Sequence, residues 1–137
     1  MSEKKFKLEI VTPVRVMYNG DVISFSAPGV AGGFQVLYNH APLLAEIGVG
    51  EIKLREPDGK ELFFSTSGGY VDVLNNHVVL LAETVERGEE IDLARAEHAR
   101  EQAKQSIAGK ATEDERTETK IALDRALNRI RVAEKNR

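Results

Sequence analysis

The stretch Glu89-Glu90-Ile91-Asp92-Leu93-Ala94-Arg95-Ala96 decides the fold, because the hydrophobic period of the chain changes just before it, near Glu86. Ahead of that point apolar residues recur at every second position, which predicts strands. Behind it they recur at every third or fourth position, which predicts helix, and the chain runs to Arg137 without a proline. We therefore predict a β domain over residues 1–86 and a helical domain over residues 87–137.

The helical domain is predicted to contain two helices. Asp92 is placed to cap the first helix and Gly109 to end it. The capping-box pattern Thr112-Glu113-Asp114-Glu115 then begins the second helix. Because the connection is short, the pair should form an antiparallel hairpin. The apolar stripes are Leu93, Ala96, Ala99, Ala103 and Ile107 in the first helix, and Leu123, Ala126, Leu127, Ile130 and Ala133 in the second.

This predicted helical seam is mostly alanine, which removes little apolar area from water. We therefore expect the hairpin to be held weakly, so that a ligand or partner decides its position. Ile121 and Val132 fall on the side of the second helix opposite its leucines. Two interpretations remain open for them: a second packing face, or ordinary exposed apolar residues.

The β domain is predicted from alternating apolar residues bounded by turn pairs. Phe6, Leu8 and Ile10 alternate in the first strand, and Asp58-Gly59 predicts a β-hairpin. Val78-Val79-Leu80-Leu81 is predicted to be buried on both faces. Since many short strands are separated by turns and no helices alternate with them, the pattern favours an antiparallel β-sandwich. The predicted fold class is thus an N-terminal antiparallel β-sandwich followed by a C-terminal antiparallel two-helix hairpin.

Composition narrows the function classes. With 42% hydrophobic and 30% charged residues among 137, the chain is predicted to be globular and soluble. It has no cysteine, which excludes disulfides, thiolate zinc sites and thiol nucleophiles. The start of the sequence shows no apolar segment typical of a secretory signal, so we expect a cytoplasmic protein.

Charge is unevenly distributed along the acidic chain. Residues 120–137 carry six Lys or Arg against two Asp or Glu. This basic end indicates either an acidic partner or ligand, or a solvated helix whose last cations favour its dipole.

No enzyme or metal site is predicted. The chain lacks a GxxxxGK[ST] phosphate loop, and its three histidines, His40, His77 and His98, share no metal-ligand spacing. Its carboxylates are scattered over predicted turns and helix faces, so no acid/base pair can be named.

Three segments together resemble the epsilon subunit of bacterial rotary ATP synthase, in order and spacing, over essentially the whole chain. They are the loop from Phe34 to Leu44, the turn Ser67-Gly68-Gly69-Tyr70-Val71, and the junction from Ala82-Glu83-Thr84 to Ala96. The chain departs from that family at two loop positions, with Gln35 where glycine is usual and Tyr38 where proline is common.

The resemblance implies a non-catalytic rotor subunit of a proton-translocating ATP synthase. Its implied partners are the gamma subunit, the c-ring, and the alpha and beta subunits, with no nucleic acid and with membrane contact only through the complex. It implies a peripheral location at the cytoplasmic face of the bacterial cell membrane. The implied c-ring contact is Phe34, Gln35, Tyr38 and His40. The alternative is that His40-Ala41-Pro42 only shapes a turn.

The hairpin of that family docks on the sandwich or extends and inhibits ATP hydrolysis. By the resemblance, the extended second helix approaches an acidic segment of the beta subunits. The implied inhibitory basic face is Arg125, Arg129, Arg131 and Lys135. The alternative is a solvated helix face, because exposed ion pairs contribute little individually.

ATP is implied as a regulatory ligand, with no cofactor required. The segment Ile91 to Ala96 resembles the I-D-x-x-R-A motif of epsilon subunits that bind ATP, and arginine forks suit phosphate oxygens. A basic residue expected beyond the motif is replaced by Gln102. The alternative is that Asp92 is only a helix cap and Arg95 a solvated residue. The implied ATP-binding residues are Glu86, Ile91, Asp92, Arg95, Ala96, Arg125 and Arg129.

Two other classes of protein are the alternatives to a rotor subunit. A stand-alone β-sandwich ligand-binding module should carry a concave aromatic patch, yet only 6% of the residues are aromatic. A helical-hairpin adaptor should show sustained heptads with large seam residues, which the alanine-rich pair lacks.

Overall fold

The computed structural model describes residues 4–109 and 113–135, with the backbone alone at residues 107–109. Within these residues, strands come first and helices last, as predicted. A 3₁₀ turn, Gly88–Glu90, joins the last strand to the first helix. The elements are β1 Phe6–Val11, β2 Val16–Val22, β3 Ser24–Ala27, β4 Phe34–Val36, β5 Leu43–Ile47, β6 Gly50–Arg55, β7 Glu61–Thr66, β8 Gly69–Leu74, β9 His77–Ala82, β10 Val85–Arg87, α1 Leu93–Gly109 and α2 Glu113–Glu134.

The strands form two five-stranded sheets that face each other. Sheet 1 has the order β2-β1-β9-β8-β5, and sheet 2 has the order β10-β7-β6-β3-β4. The predicted sandwich is therefore confirmed, with one correction. β1 and β9 pair in parallel, from Lys7 opposite His77 to Val11 opposite Leu81. A parallel pair needs a long crossover connection, and the seven intervening strands supply it here in place of a helix.

The sandwich core forms between the inner faces of the two sheets. Phe6, Leu8 and Ile10 are all buried there, as their alternation predicts. The turn at Asp58-Gly59 joins β6 to β7 as expected, and Gly59 has a φ of 91°, which suits glycine. The prediction that β9 is buried on both faces was wrong, because Leu81 is 54% exposed. Sheet 1 has no layer over its outer face within the described residues, so alternate residues of β9 remain outside the core.

The helical hairpin lies over the outer face of sheet 2, where α2 contacts β6 and β7. A second, smaller apolar cluster forms at this junction from Ile91, Val132 and Ala133, with Phe63 and Leu93 packed against it. This cluster is separate from the sandwich core. The hairpin is thus attached to the outside of the sandwich and does not share its interior.

The orientation of α2 differs from the prediction at two residues. Leu127, predicted in the buried stripe, is 42% exposed, whereas Val132, assigned to the opposite side, is fully buried. The reason is that α2 packs on sheet 2 as well as on α1, which widens and rotates its buried face. Ile121 is 44% exposed, so the two apolar residues that the sequence grouped together have different environments.

The helix ends agree with the sequence where they are described. The carboxylate of Asp92 accepts a hydrogen bond from the backbone N–H of Arg95 at 3.1 Å, which confirms the N-cap. α1 ends at Gly109, as predicted. The side chain of Ile107 and the predicted cap residue Thr112 lie outside the described residues. Among the helices that the structure describes, neither is long and apolar enough to span a membrane.

Candidate functional site

A cleft of about 1050 Å³ lies where the hairpin meets one end of the sandwich. The sandwich contributes loop and strand residues, including Ser67, Glu83, Thr84 and Glu86. The hairpin contributes small residues together with two arginines of α2. On the hairpin side the lining residues are Ala99, Ile121, Ala122, Arg125, Ala126 and Arg129. The cleft therefore combines hydroxyl groups, carboxylates and guanidinium groups around an alanine-lined wall.

A forked ion pair crosses the cleft wall between Glu86 and Arg129. The Nε of Arg129 donates to Oε1 of Glu86 at 2.6 Å, and its Nη2 donates to Oε2 at 3.0 Å. β10 presents Glu86 opposite Ser65 of β7, on the face over which α2 lies. Two parallel N–H···O bonds make this the geometrically most specific charged contact between the two domains among the described residues.

Arg125 lines the same cleft, one helical turn before Arg129. Residues four apart on a helix project from the same side, so both guanidinium groups face the cleft. Among the residues that the structure describes, Arg125 forms no ion pair, whereas Arg129 is occupied by Glu86. One arginine of the pair therefore remains available to an anion in the docked state.

The seven residues implied for ATP binding fall into two groups. Glu86, Arg125 and Arg129 come together in the cleft. The other four are clustered at the start of α1: Asp92 caps the helix, Ile91 and Ala96 are buried, and Arg95 is exposed. These four are not part of the cleft lining. The motif from Ile91 to Ala96 therefore forms the start of α1, whereas Arg125 and Arg129 of α2 line the cleft beside the sandwich.

The other two cations of the predicted inhibitory face are also engaged with neighbours. Lys135 Nζ lies 2.9 Å from Oε2 of Glu51 and 5.6 Å from the ring centre of Phe63. Arg131 Nη2 donates to the side-chain oxygen of Asn128 at 2.8 Å. In the docked position, three of the four predicted cations are therefore held by groups of the chain itself.

Asn128 of α2 is a contact residue at the edge of this site that sequence reasoning missed. Its side chain is 1% exposed, and its Nδ2 donates to the backbone oxygen of Gly50 at 2.7 Å and to Oγ of Ser65 at 2.9 Å. An asparagine in a helix with charged neighbours is ordinarily interpreted as solvated. No sequence signal distinguished it, because its burial depends on sheet 2, which is remote in sequence.

The segment implied for the c-ring contact includes β4 and the loop that connects β4 to β5. Phe34 is half-buried and packs against the sandwich core, whereas Gln35 and Tyr38 are exposed. The backbone N–H of His40 donates to the carbonyl of Leu37 at 3.1 Å, which closes a turn at the tip. Gln35 and Tyr38 are therefore accessible, while Phe34 and His40 are half-buried.

Reciprocal side-chain bonds tie this loop to the β8–β9 turn. The backbone N–H of Asn39 donates to Oδ1 of Asn76 at 2.6 Å, and Asn76 Nδ2 donates to Oδ1 of Asn39 at 2.9 Å. Both asparagines have positive φ, which asparagine tolerates better than most residues. The loop is thus held in one shape without a buried core of its own.

The outer face of sheet 1 carries an exposed apolar patch. Tyr70 of β8 pairs directly with Leu81 of β9, and both are more than half exposed. Leu44 of β5 and Leu74 of β8 extend the same face at 75% and 51% exposure. The face that the hairpin covers instead carries charged residues such as Glu51 and Lys53. Asp72 lies between Tyr70 and Leu74 on β8 and pairs with Leu44, so these apolar residues share the face with a charged one. Clustered apolar side chains that no described element covers are typical of a subunit interface.

Comparison with known families identifies two matching domains. Residues 5–88 match the family model described as the ATP synthase, Delta/Epsilon chain, beta-sandwich domain. Residues 89–134 match the ATP synthase, Delta/Epsilon chain, long alpha-helix domain. Together the two matches span nearly the whole chain.

Curated relatives match this chain over most of their own length. The chain is 38% identical over 135 residues to the ATP synthase epsilon chain of Syntrophomonas wolfei, covering 98% of both chains. It is 44% identical over 110 residues to the ATP synthase epsilon chain of Pelotomaculum thermopropionicum, covering 80% of this chain and 81% of that one.

Solved structures agree in fold. A chain in the Euglena gracilis mitochondrial ATP synthase assembly of OSCP, F1 and c-ring aligns with a TM-score of 0.80 at 21% identity, covering 89% of this chain and 77% of that chain. A chain from the central stalk and c-ring of the Tetrahymena thermophila mitochondrial ATP synthase aligns with a TM-score of 0.69 at 15% identity, covering 97% and 99%. At these identities the likeness concerns the fold alone.

Proposed function

The chain belongs to the epsilon-chain family of ATP synthase, whose members are non-catalytic subunits, and we propose that its sandwich attaches to the rotor while its hairpin regulates ATP hydrolysis. The observation that carries this division is the separation of the two apolar clusters. Because the hairpin contributes nothing to the sandwich core, it can leave sheet 2 without unfolding the attachment domain. Family membership also favours this role over a stand-alone ligand-binding sandwich or a helical adaptor.

The gamma subunit is the proposed partner of the apolar patch on sheet 1. An interface that turns with the rotor must persist through every cycle, and burial of large apolar side chains suits a permanent contact. Tyr70 and Leu81 form the centre of the patch through their direct pairing. A Leu81→Asp variant should lose co-purification with gamma, whereas Lys60→Asp on the remote β6–β7 turn should retain it.

The c-ring is the proposed partner of Gln35, at the end of β4, and of the β4–β5 loop that contains Tyr38 and His40. Contact with the c-ring would give the chain a peripheral location at the cytoplasmic face of the bacterial membrane, reached only through the complex. The reciprocal bonds between Asn39 and Asn76 support this role, since a preshaped loop loses little conformational entropy on binding.

Inhibition is proposed to use the four cations of α2 on the extended hairpin. In the docked state Arg129 and Lys135 are paired with Glu86 and Glu51, so release exchanges these carboxylates for those of an acidic segment on the beta subunit. In the docked state the carboxylates of the sandwich thereby compete with those of the catalytic subunits for the same cations of the hairpin.

A reconstituted complex tests this inhibitory role. Combined substitution of Arg125, Arg129, Arg131 and Lys135 by alanine should relieve inhibition and raise the hydrolysis rate. Lys120→Ala, an exposed cation on α2 outside the four, serves as the control. Unchanged hydrolysis in the quadruple variant would contradict the assignment.

ATP is proposed as a regulatory ligand of the cleft beside Glu86. Arg125 has no ion pair among the described residues and can offer its guanidinium group to phosphate oxygens, and Arg129 lies one turn away on the same side. Asp92 and Arg95, at the start of α1, would contact the nucleoside part of ATP or would stabilise the first turn of the helix. A bound nucleotide would bridge the sandwich and α2 and so favour the docked state.

Calorimetry of the isolated full-length chain with ATP tests the ligand. Arg125→Ala should weaken binding more than tenfold, since it removes a charged partner of phosphate, while Lys120→Ala should leave it unchanged. Asp92→Ala and Arg95→Ala separate the two ends of the ligand. Binding that survives the Arg125, Asp92 and Arg95 substitutions would exclude this cleft as the site.

A further inference from the structure

The side-chain amide of Asn128 is buried, and both its nitrogen and its oxygen form hydrogen bonds. Nδ2 donates to Gly50 and Ser65 of sheet 2, at 2.7 and 2.9 Å, and Oδ1 accepts from Arg131 at 2.8 Å. Polar side chains with 1% exposure are uncommon on a surface helix, and this one lies within the contact between α2 and sheet 2. The burial of Asn128 therefore indicates a role other than making the helix surface soluble.

An amide at this position is an unusual choice if the contact serves stability alone. Removing the amide from water is costly, and the hydrogen bonds in the contact repay that cost only in good geometry. A leucine of similar size would bury apolar area without any requirement on direction. In helix contacts, a single buried asparagine is known instead to select one register among several.

The neighbours of Asn128 along α2 show how register selection would work here. A slip of one helical turn brings either Asp124 or Val132 opposite the carbonyl of Gly50. An ionised carboxylate can only accept hydrogen bonds and valine can make none, so neither can replace the amide donor. Every shifted register would leave the Gly50 carbonyl and the Ser65 hydroxyl buried without this partner, which is costly.

We propose that Asn128 is the positioning residue that fixes the rotation and register of α2 on sheet 2. With Asn128 seated on Gly50, Arg129 is brought to Glu86 and Arg125 to the cleft. Full release of the hairpin exposes the same groups to water, which satisfies them, so undocking is tolerated while slipping is not. The regulatory meaning of this arrangement rests on the proposed function of the hairpin, but the positioning itself does not.

Distance measurements between spin labels test the positioning role on the full chain. The protein has no native cysteine, so Lys60→Cys on the sandwich and Lys120→Cys on α2 provide unique labelling sites, both exposed. Without nucleotide, the parent should show one narrow distance for the docked hairpin. Gln105→Glu, an exposed amide-to-acid change on α1, is the matched control and should preserve that distance.

Two substitutions of Asn128 should have different effects. Asn128→Leu keeps an apolar contact but removes the directional bonds, so the docked distance should broaden or split as shifted registers become accessible. Asn128→Asp places an acceptor opposite the Gly50 carbonyl, so the undocked fraction should rise roughly tenfold or more. Hydrogen exchange at Leu8 and Phe64, in the separate sandwich core, verifies that both variants remain folded.

The proposal is overturned if Asn128→Leu retains the narrow parental distance, because a merely stabilising contact would change the docked fraction and not the docked geometry. It is equally overturned if Asn128→Asp behaves like Gln105→Glu. If the distances change as expected while hydrolysis by the reconstituted complex does not, the positioning role stands and the proposed regulatory function fails. The two failures are therefore distinguishable.

Discussion

Arg129 and Glu86 form a two-pronged ion pair that joins α2 to β10, with Nε 2.6 Å from Oε1 and Nη2 3.0 Å from Oε2. The two side chains are 28% and 40% exposed, so solvent reaches the pair and moderates its strength. The pair gives α2 a directional contact at the edge of sheet 2. It also occupies one of the two arginines that line the cleft, leaving Arg125 for a ligand.

Removal of this pair should loosen the hairpin selectively. Glu86→Gln is expected to lower the free energy of hairpin opening by about 0.2–1 kcal/mol, with a smaller effect at high salt. Hydrogen exchange of α2 amides at two salt concentrations measures both effects. Glu89→Gln is the control, because Glu89 pairs with Arg87 beside the same strand and not with the hairpin. An equal loss in both variants would mean that the Glu86 pair is not a docking contact.

The two apolar residues outside the leucine stripe of α2 should respond differently to truncation. Val132 is fully buried against sheet 2, so Val132→Ala should cost about 2 kcal/mol of docking free energy. Ile121 is 44% exposed, and Ile121→Ala should change docking by less than about 0.5 kcal/mol. Hydrogen exchange of the α2 amides measures the loss of docking free energy in each variant. Similar losses at both positions would contradict the observed orientation of the helix.

The sandwich core should tolerate little loss of volume. Phe64 is fully buried and its ring meets that of Tyr18 edge-on, with centroids 6.4 Å apart. Phe64→Ala should lower the free energy of unfolding by about 3–5 kcal/mol in urea. Leu44→Ala, at a residue 75% exposed, should change it by less than about 0.5 kcal/mol. A small effect at Phe64 would show that the core collapses around the missing ring.

Tyr18 should make the sandwich sensitive to alkaline pH. Burial, followed by the hydrogen bond that its hydroxyl donates to Glu56 Oε2 at 2.8 Å, raises the pKa of Tyr18 above its ordinary value. The folded state therefore holds this proton more tightly than the unfolded state does. Its contribution to stability is complete below the unfolded pKa of about 10 and is lost as the pH rises above that value.

Urea unfolding at several pH values between neutrality and the alkaline range tests this dependence. Tyr18→Phe should be less stable near neutral pH, because the hydrogen bond is lost, but should lose less stability on alkalinisation. Tyr70→Phe on the exposed patch should follow the parent chain. An alkaline decline of the same steepness in the Tyr18 variant would rule out this residue as the cause.

Local patterns were enough to predict much of the architecture. The alternation of Phe6, Leu8 and Ile10 predicted which face of β1 is buried, and Asp92 predicted the start of α1. Both features depend on residues within a few positions of each other, where the period of side chains and the capping of free N–H groups act directly. The change of period near Glu86, from which the domain boundary was predicted, is a local signal of the same kind.

The sequence alone did not predict the features that depend on contacts between distant segments. Leu81 was predicted to be buried, but a continuous apolar strand does not say whether a second layer covers its outer face. Asn128 was overlooked because its partners Gly50 and Ser65 are 78 and 63 residues away. The parallel pairing of β1 with β9 likewise joins segments that no local signal relates.

By itself, the sequence determined that strands come first, that two helices follow, and that the arginines at positions 125 and 129 share a helix face. Only the tertiary structure decided which face of α2 is buried, which carboxylates hold its cations, and which side of the sandwich remains apolar and open. The physical reason is the distance along the chain between the residues that interact. Periodicity and capping are properties of neighbouring residues, whereas burial and ion pairing require surfaces that the chain assembles from segments far apart.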